Sequence, residues 1–302
     1  MTASSSLWVA FTLIAAAAQT VRNATQRELT VKLGTVGATH VRFLFGLPFA
    51  LLFLAGVTVV AHAAAPQPGP VFWPWVLLGA LMQIAATALM LAAMGERSFV
   101  VAIAYIKTEP IQVALFGLIF LGDHVTPGMG AAILIATAGV VVMSLKSGAA
   151  AGAAAGGLKP TLLGLSAGGC FALSAIGYRG AILSLHDPNF VMAATFTVAV
   201  GLAVQTVLLT AYLLARDRAV LRAIILAWRP SLFAGFMGAL ASQFWFLGFA
   251  TATAASVRTL ALVEVLFAQG VSRFVFKQPV SAREGLGIGL IVAGVALLVW
   301  TY

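Results

Sequence analysis

Runs of mainly apolar residues recur along the chain, each close to the ~20 residues that a membrane-spanning helix needs. Ten spans are read: Leu7–Val21, Val41–Val60, Phe72–Met94, Phe99–Leu121, Pro127–Ser144, Thr161–Leu185, Phe190–Ala215, Ser231–Ala250, Ala254–Phe276 and Ala282–Thr301. Polar punctuation separates them. Thr126-Pro127 reads as an N-cap followed by proline at the first helical position. Ser281-Ala-Arg-Glu284 spells a capping box opening the last span. Pro66-Gln-Pro-Gly-Pro70 reads as a turn, and Ser147–Gly157, almost wholly Ala and Gly, as a flexible connector. The first span lacks the positively charged leader of a signal peptide and is expected to be retained.

The two sides of that connector match. At a separation of 155 residues, Ser98–Leu145 aligns without gaps to Thr253–Trp300, with Glu109 on Glu264, Thr126 on Ser281 and Ala138-Gly139-Val140 on Ala293-Gly294-Val295. Arg22 and Arg179 form a weaker match at a separation of 157. The expected organisation is therefore a first five-helix repeat at 1–146, an Ala/Gly linker at 147–157 and a second repeat at 158–302. Five is odd, so the second repeat enters the membrane inverted. The fold class expected is an all-α membrane protein of ten transmembrane helices in two inverted five-helix repeats, an arrangement common in transporters.

Composition narrows the class. Of 302 residues, 62% are hydrophobic and 8% charged, with a mean hydropathy of +1.06. A soluble domain carries about 25% charged residues, so a soluble enzyme and a disordered chain are both disfavoured. The formal net charge of +9 is spread over loops and makes no continuous basic stripe for nucleic acid. The single cysteine, Cys170, excludes an intramolecular disulfide, and four scattered histidines without cysteine partners give no metal site. No metal or cofactor is expected.

The cations instead predict an orientation. Connections after spans 1, 3, 5, 7 and 9 carry Arg22, Arg27, Lys32; Arg97; Lys146, Lys159; Arg216, Arg218, Arg222, Arg229; and Arg273, Lys277, Arg283. The tails and the other connections carry none. Basic loops face the cytoplasm, so both termini are expected outside.

Acidic residues inside spans are costly and mark ion or substrate paths when they occur. Glu109 lies about ten residues into the fourth span, ~15 Å deep at 1.5 Å per residue, and Glu264 occupies the same depth in the ninth. Either glutamate is a candidate proton carrier during transport, or a fixed tie to a neighbouring helix. Lys107 and Arg258 offer positive charge to a substrate carboxylate or to those glutamates. Pro110 removes a helical hydrogen bond in midmembrane and makes a hinge candidate, or merely a packing kink. Gln19, Gln83, Tyr105, Ser174, Tyr178, Gln243, Trp245 and Gln269 are further polar or aromatic residues within spans. They either line a cavity that stacks flat ligands or pack between helices. Gly164-Leu-Ser-Ala-Gly168 spells a nucleophile elbow, but inside a span it reads as a small-residue helix contact. With no facing nucleophile and base, the chain is not expected to be an enzyme.

Taken together, Glu109-Pro110, Phe120-Leu-Gly-Asp123, Gly130 and Ala138-Gly139-Val140, repeated more loosely over Ala254–Leu298, with Arg42 opening the second span, resemble the drug/metabolite transporter superfamily. The similarity is to its ten-helix EamA-type permeases. Gln278 stands where the second repeat would carry the counterpart of Asp123, Val265 replaces a proline, and the first span lacks an acidic residue. The resemblance implies export of small metabolites, most often amino acids, by alternating access through a cavity between the repeats in a bacterial inner membrane. Aromatic amino acids are the narrower candidate, and protons a candidate coupling ion. A transporter of another metabolite or drug class and a non-transporting membrane scaffold are the alternatives.

Overall fold

The computed structural model describes residues 7–62, 64–94, 105–144, 158–274 and 281–302. The Ala/Gly connector, Arg97, Lys146, Lys277 and Gln278 lie outside them. Every regular element among the described residues is helical. In chain order these are α1 (Leu7–Leu44), α2 (Leu47–Ala61), α3 (Phe72–Met94), α4 (Glu109–Phe116, running into a π-helical turn, Gly117–Leu121), α5 (Pro127–Ser144) and α6 (Leu158–Ser184). They continue as α7 (Phe190–Arg216), α8 (Arg218–Leu226), α9 (Trp228–Thr251), α10 (Ala254–Leu260), α11 (Val263–Phe274) and α12 (Ala282–Thr301).

Five segments are long and apolar enough to cross a membrane: Glu28–Ala61, Phe72–Met90, Phe190–Arg216, Trp228–Thr251 and Ala282–Thr301. Glu109–Leu121 and Pro127–Met143 are shorter apolar helices. Large apolar side chains stand exposed along these helices, Leu52, Val60, Leu134 and Val207 among them, as a lipid-facing surface requires. The chain has the features of an all-helical membrane protein.

Two features differ from the sequence expectation. Arg22, Arg27 and Lys32, read as a connection, lie on α1, which stays helical to a break at Gly34. Gly34 has φ 68°, a backbone that side-chain-bearing residues avoid, and a Cβ there would meet nothing within 4 Å. Conformation, not crowding, asks for glycine at that point. Secondly, the stretches read as continuous fourth and ninth spans are interrupted, by turns at Lys107–Thr108 and Ala261–Leu262. The capping signals hold. Met129 N–H donates to Thr126 Oγ1 at 3.2 Å, and Ser281 and Glu284 form a complete capping box.

The chain divides into two compact units, each drawing helices from both halves of the sequence. The first comprises Met1–Ile84 with Gly177–Ala252. Its core joins Leu29, Leu33 and Val41 of α1 to Leu213 of α7, Ile224 of α8 and Ala234 of α9. Glycine sets the spacing of α3 and α6: a Cβ on Gly177 would lie 2.6 Å from the amide nitrogen of Gly79. Such close backbone approach is how membrane helices gain packing energy without a hydrophobic drive.

The second unit comprises Ala85–Ile176 with Thr253–Tyr302. Its core joins Ala136 and Val140 of α5 to Leu262 and to Ile291 of α12. A Cβ on Gly139 would lie 2.7 Å from the Gly287 carbonyl and 2.8 Å from Ile291 N. One on Gly294 would lie 2.9 Å from the Ala132 carbonyl and 2.6 Å from Ala136 N. Gly139 and Gly294, Ala132 and Gly287, and Ala136 and Ile291 are each 155 residues apart. The α5–α12 seam therefore reads the same from either helix.

Candidate functional site

The sequence candidates fall into two groups, one in each unit. In the second unit, Glu109 and Glu264 both sit in the first turn of a helix that starts immediately after a break. Glu109 opens α4 and Glu264 lies at the start of α11. Unsatisfied N–H groups give a helix N-terminus partial positive charge, which favours a carboxylate there. Thr108 tightens the turn before α4, its hydroxyl donating to the Tyr105 carbonyl at 2.7 Å. Pro110 falls in the first turn of α4, where its missing N–H costs no hydrogen bond. The midspan kink expected of it is instead a full break one residue before Glu109. Val265 follows Glu264 with no proline, yet α10 and α11 are separated in the same way.

Two cations complete this group. Arg258 Nε donates to Glu109 Oε1 at 2.5 Å, and Lys107 Nζ lies 3.6 Å from Glu264 Oε2. Lys107 and Glu109 belong to the first half of the chain, Arg258 and Glu264 to the second. Each half thus supplies the cation for the carboxylate of the other. Arg258 is also within electrostatic reach of Glu264, which links one pair to the other. Both glutamates are 8% exposed. Buried ions are tolerated only when paired in this manner. Tyr105, half-buried, lies two residues before Lys107.

In the first unit, Gln19, Gln83, Tyr178, Gln243 and Trp245 are engaged with other side chains. Trp245 Nε1 donates to Gln19 Oε1 at 3.1 Å, and Tyr178 Oη to Gln83 Oε1 at 3.3 Å. Gln243 Nε2 donates to Thr195 Oγ1 at 2.7 Å. The Tyr178 ring lies 4.5 Å from Phe246, and Trp245 stacks with Phe249 at 6.5 Å. Tyr178 is 2% exposed and Trp245 4%. Their polar tips and ring faces are occupied by protein in this structure.

Several further residues on the same elements are not among the site candidates that the sequence suggests. Gln205 of α7, fully buried, donates to Gln83 Oε1 at 2.7 Å and joins Gln83 and Tyr178 into a chain. A lone glutamine in the middle of an apolar span was the available signal. Arg22 and Arg42, each 4% exposed, flank Gly238: a Cβ there would lie 3.2 Å from Arg42 Cγ and 3.5 Å from Arg22 Cδ. Arg22, read as an orienting loop charge, is thus an interior one. Arg179 donates to the Phe249 carbonyl at 2.6 Å and also to that of Ala252, placing a cation at the C-terminus of α9. In the second unit, Gln112 donates to Thr108 Oγ1 at 3.3 Å, and its amide abuts Gly168. Gly168 also comes close to the Ile106 carbonyl, where a Cβ would lie at 3.2 Å.

Comparison with known proteins finds no matching family model and no matching curated protein. Among 26 matching chains of solved structures is one described only as "Crystal structure of protein". It superposes with a TM-score of 0.66 over 97% of this chain and 99% of that one, at 19% identity. A likeness at that identity shows a shared fold and nothing of activity.

Proposed function

We propose that the chain is a ten-helix exporter of the drug/metabolite transporter superfamily, built as two inverted repeats and moving small zwitterionic metabolites, amino acids first among them. The observation that carries this reading is the reciprocal pairing of Glu109 with Arg258 and of Glu264 with Lys107, the two glutamates standing 155 residues apart, each in the first turn after a helix break. Discontinuous helices with charges at their half-helix ends are where transporters bind substrates and ions. The substrate offers the same chemistry as the pairs: its carboxylate competes for Lys107 or Arg258, its ammonium for Glu109 or Glu264. Exchange of these partners couples binding to movement of one repeat against the other, in alternating access. Tyr105 lies two residues before Lys107 in the chain, and aromatic amino acids are the narrower substrate class. The membrane is the bacterial inner membrane, with both termini outside.

Counterflow in proteoliposomes tests this directly. Vesicles preloaded with unlabelled amino acids are expected to accumulate labelled amino acid, aromatic ones most strongly, and R258M and K107M to accumulate at least tenfold less. Absence of counterflow for every amino acid in a panel, with protein shown to be inserted and folded, overturns the reading.

A further inference from the structure

The connection between α7 and α9 is not a plain loop but a nine-residue helix, α8, and it has two unlike faces. Val220 and Ile224 turn inward: Ile224 is fully buried in the core with Leu29 and Leu33, and Val220 packs against it. Arg218, Arg222 and Leu226, spaced four apart and so on one face, are exposed. Leu226 is 84% exposed and Ile225 64%. Asp217, the acidic residue beside these cations, is occupied as the N-cap of α8, accepting from the amides of Ala219 and Val220. Arg216 and Arg229 are exposed at the two ends of the connection, and the Arg229 guanidinium lies 5.4 Å from the Trp228 ring centroid.

We infer that α8 is an interfacial helix that binds the phosphate of an anionic glycerophospholipid between Arg218 and Arg222, with Ile225 and Leu226 entering the acyl boundary. Three observations select this occupant. The exposed arginines match a phosphate in charge, and basic clusters beside membrane helices read as anionic-lipid sites. Leu226 and Ile225, exposed on the same side of α8 as those arginines and toward its C-terminal end, set apolar surface beside the cationic pair, as a headgroup bordered by acyl chains requires. The helix is joined directly to two segments long enough to cross the bilayer, Phe190–Arg216 and Trp228–Thr251, which holds it at headgroup level. The inference does not depend on the chain being an exporter.

The test uses the purified full-length chain in neutral detergent, titrated with phosphatidylglycerol or phosphatidylcholine, and reads retained lipid by native mass spectrometry. Wild type is expected to retain phosphatidylglycerol in preference to phosphatidylcholine. R218Q/R222Q is expected to bind phosphatidylglycerol about thirtyfold more weakly, two charges at the headgroup each contributing several-fold. R218K/R222K, which preserves charge, is expected to keep most of the binding and guards against a folding defect. Equal retention of the two lipids by wild type, or equal phosphatidylglycerol retention by wild type and R218Q/R222Q, overturns the assignment.

Discussion

Arg258 and Glu109 are 149 residues apart in sequence, yet Nε and Oε1 lie 2.5 Å from each other. Removing one partner of a buried pair leaves an uncompensated charge and costs about 3–5 kcal/mol. E109Q is expected at the low end, because Glu264 remains within electrostatic reach of Arg258. R258M, which strands Glu109, is expected at the high end. A double-mutant cycle on thermal or denaturant unfolding in detergent checks this, with E109Q/R258M less destabilised than the sum of its parts.

Proton coupling makes a separate prediction. If Glu109 or Glu264 carries the coupled proton, an imposed proton gradient drives accumulation in wild-type vesicles and fails to do so in E109Q or E264Q. An unchanged response to the gradient in both variants would assign the carboxylates to substrate binding and helix ties alone.

The α5–α12 seam predicts opposite signs for two glycine substitutions on one helix. G139L and G294L force side chains into facing backbone and are expected to destabilise by about 1–3 kcal/mol each. G289A meets nothing within 4 Å and should stabilise by roughly 0.5–1 kcal/mol through helix propensity. Unfolding midpoints of the three variants decide it.

Among the internal hydrogen bonds of the first unit, Y178F removes one donor to Gln83 while keeping the ring against Phe246 and Gly79. Side-chain hydrogen bonds in membrane helices average about 0.6 kcal/mol, so Y178F is expected to be nearly neutral in stability. G79L is expected to be far worse, since a Cβ alone would lie 2.8 Å from the Tyr178 ring.

Orientation is checked at Ala219, exposed in the first turn of α8. In a C170S background, A219C in intact cells is expected to react with membrane-permeant maleimides and to resist impermeant ones. Reaction with the impermeant reagents as well would place the termini inside.

Much of this architecture is legible in the sequence because apolar length and capping chemistry are local. Phe190 and Ala282 begin their helices where the pattern placed them, and Thr126 and Ser281 cap as read. The break before Glu264 was not legible. No proline or glycine marks Ala261–Leu262, and the interruption places Glu264 in a first helical turn, where its environment is set by tertiary partners. The position of Arg22 was hidden for a related reason. A cation beyond the end of an apolar run looks like a loop charge unless the helix is known to continue to Gly34. Helix α8 does carry a local signal, Asp217 as N-cap before apolar residues at 220, 221, 224 and 225.

The two ion pairs also bear on electrical measurements. Glu109, Glu264, Lys107 and Arg258 sum to zero when all are ionised, whereas a single charge crossing the membrane field experiences about 2.3 kcal/mol per 100 mV. A rearrangement that carries the four together is therefore silent to membrane potential. In the exporter proposed above, a current that accompanies turnover then comes from charges other than these four, the interior Arg22, Arg42 and Arg179 among them.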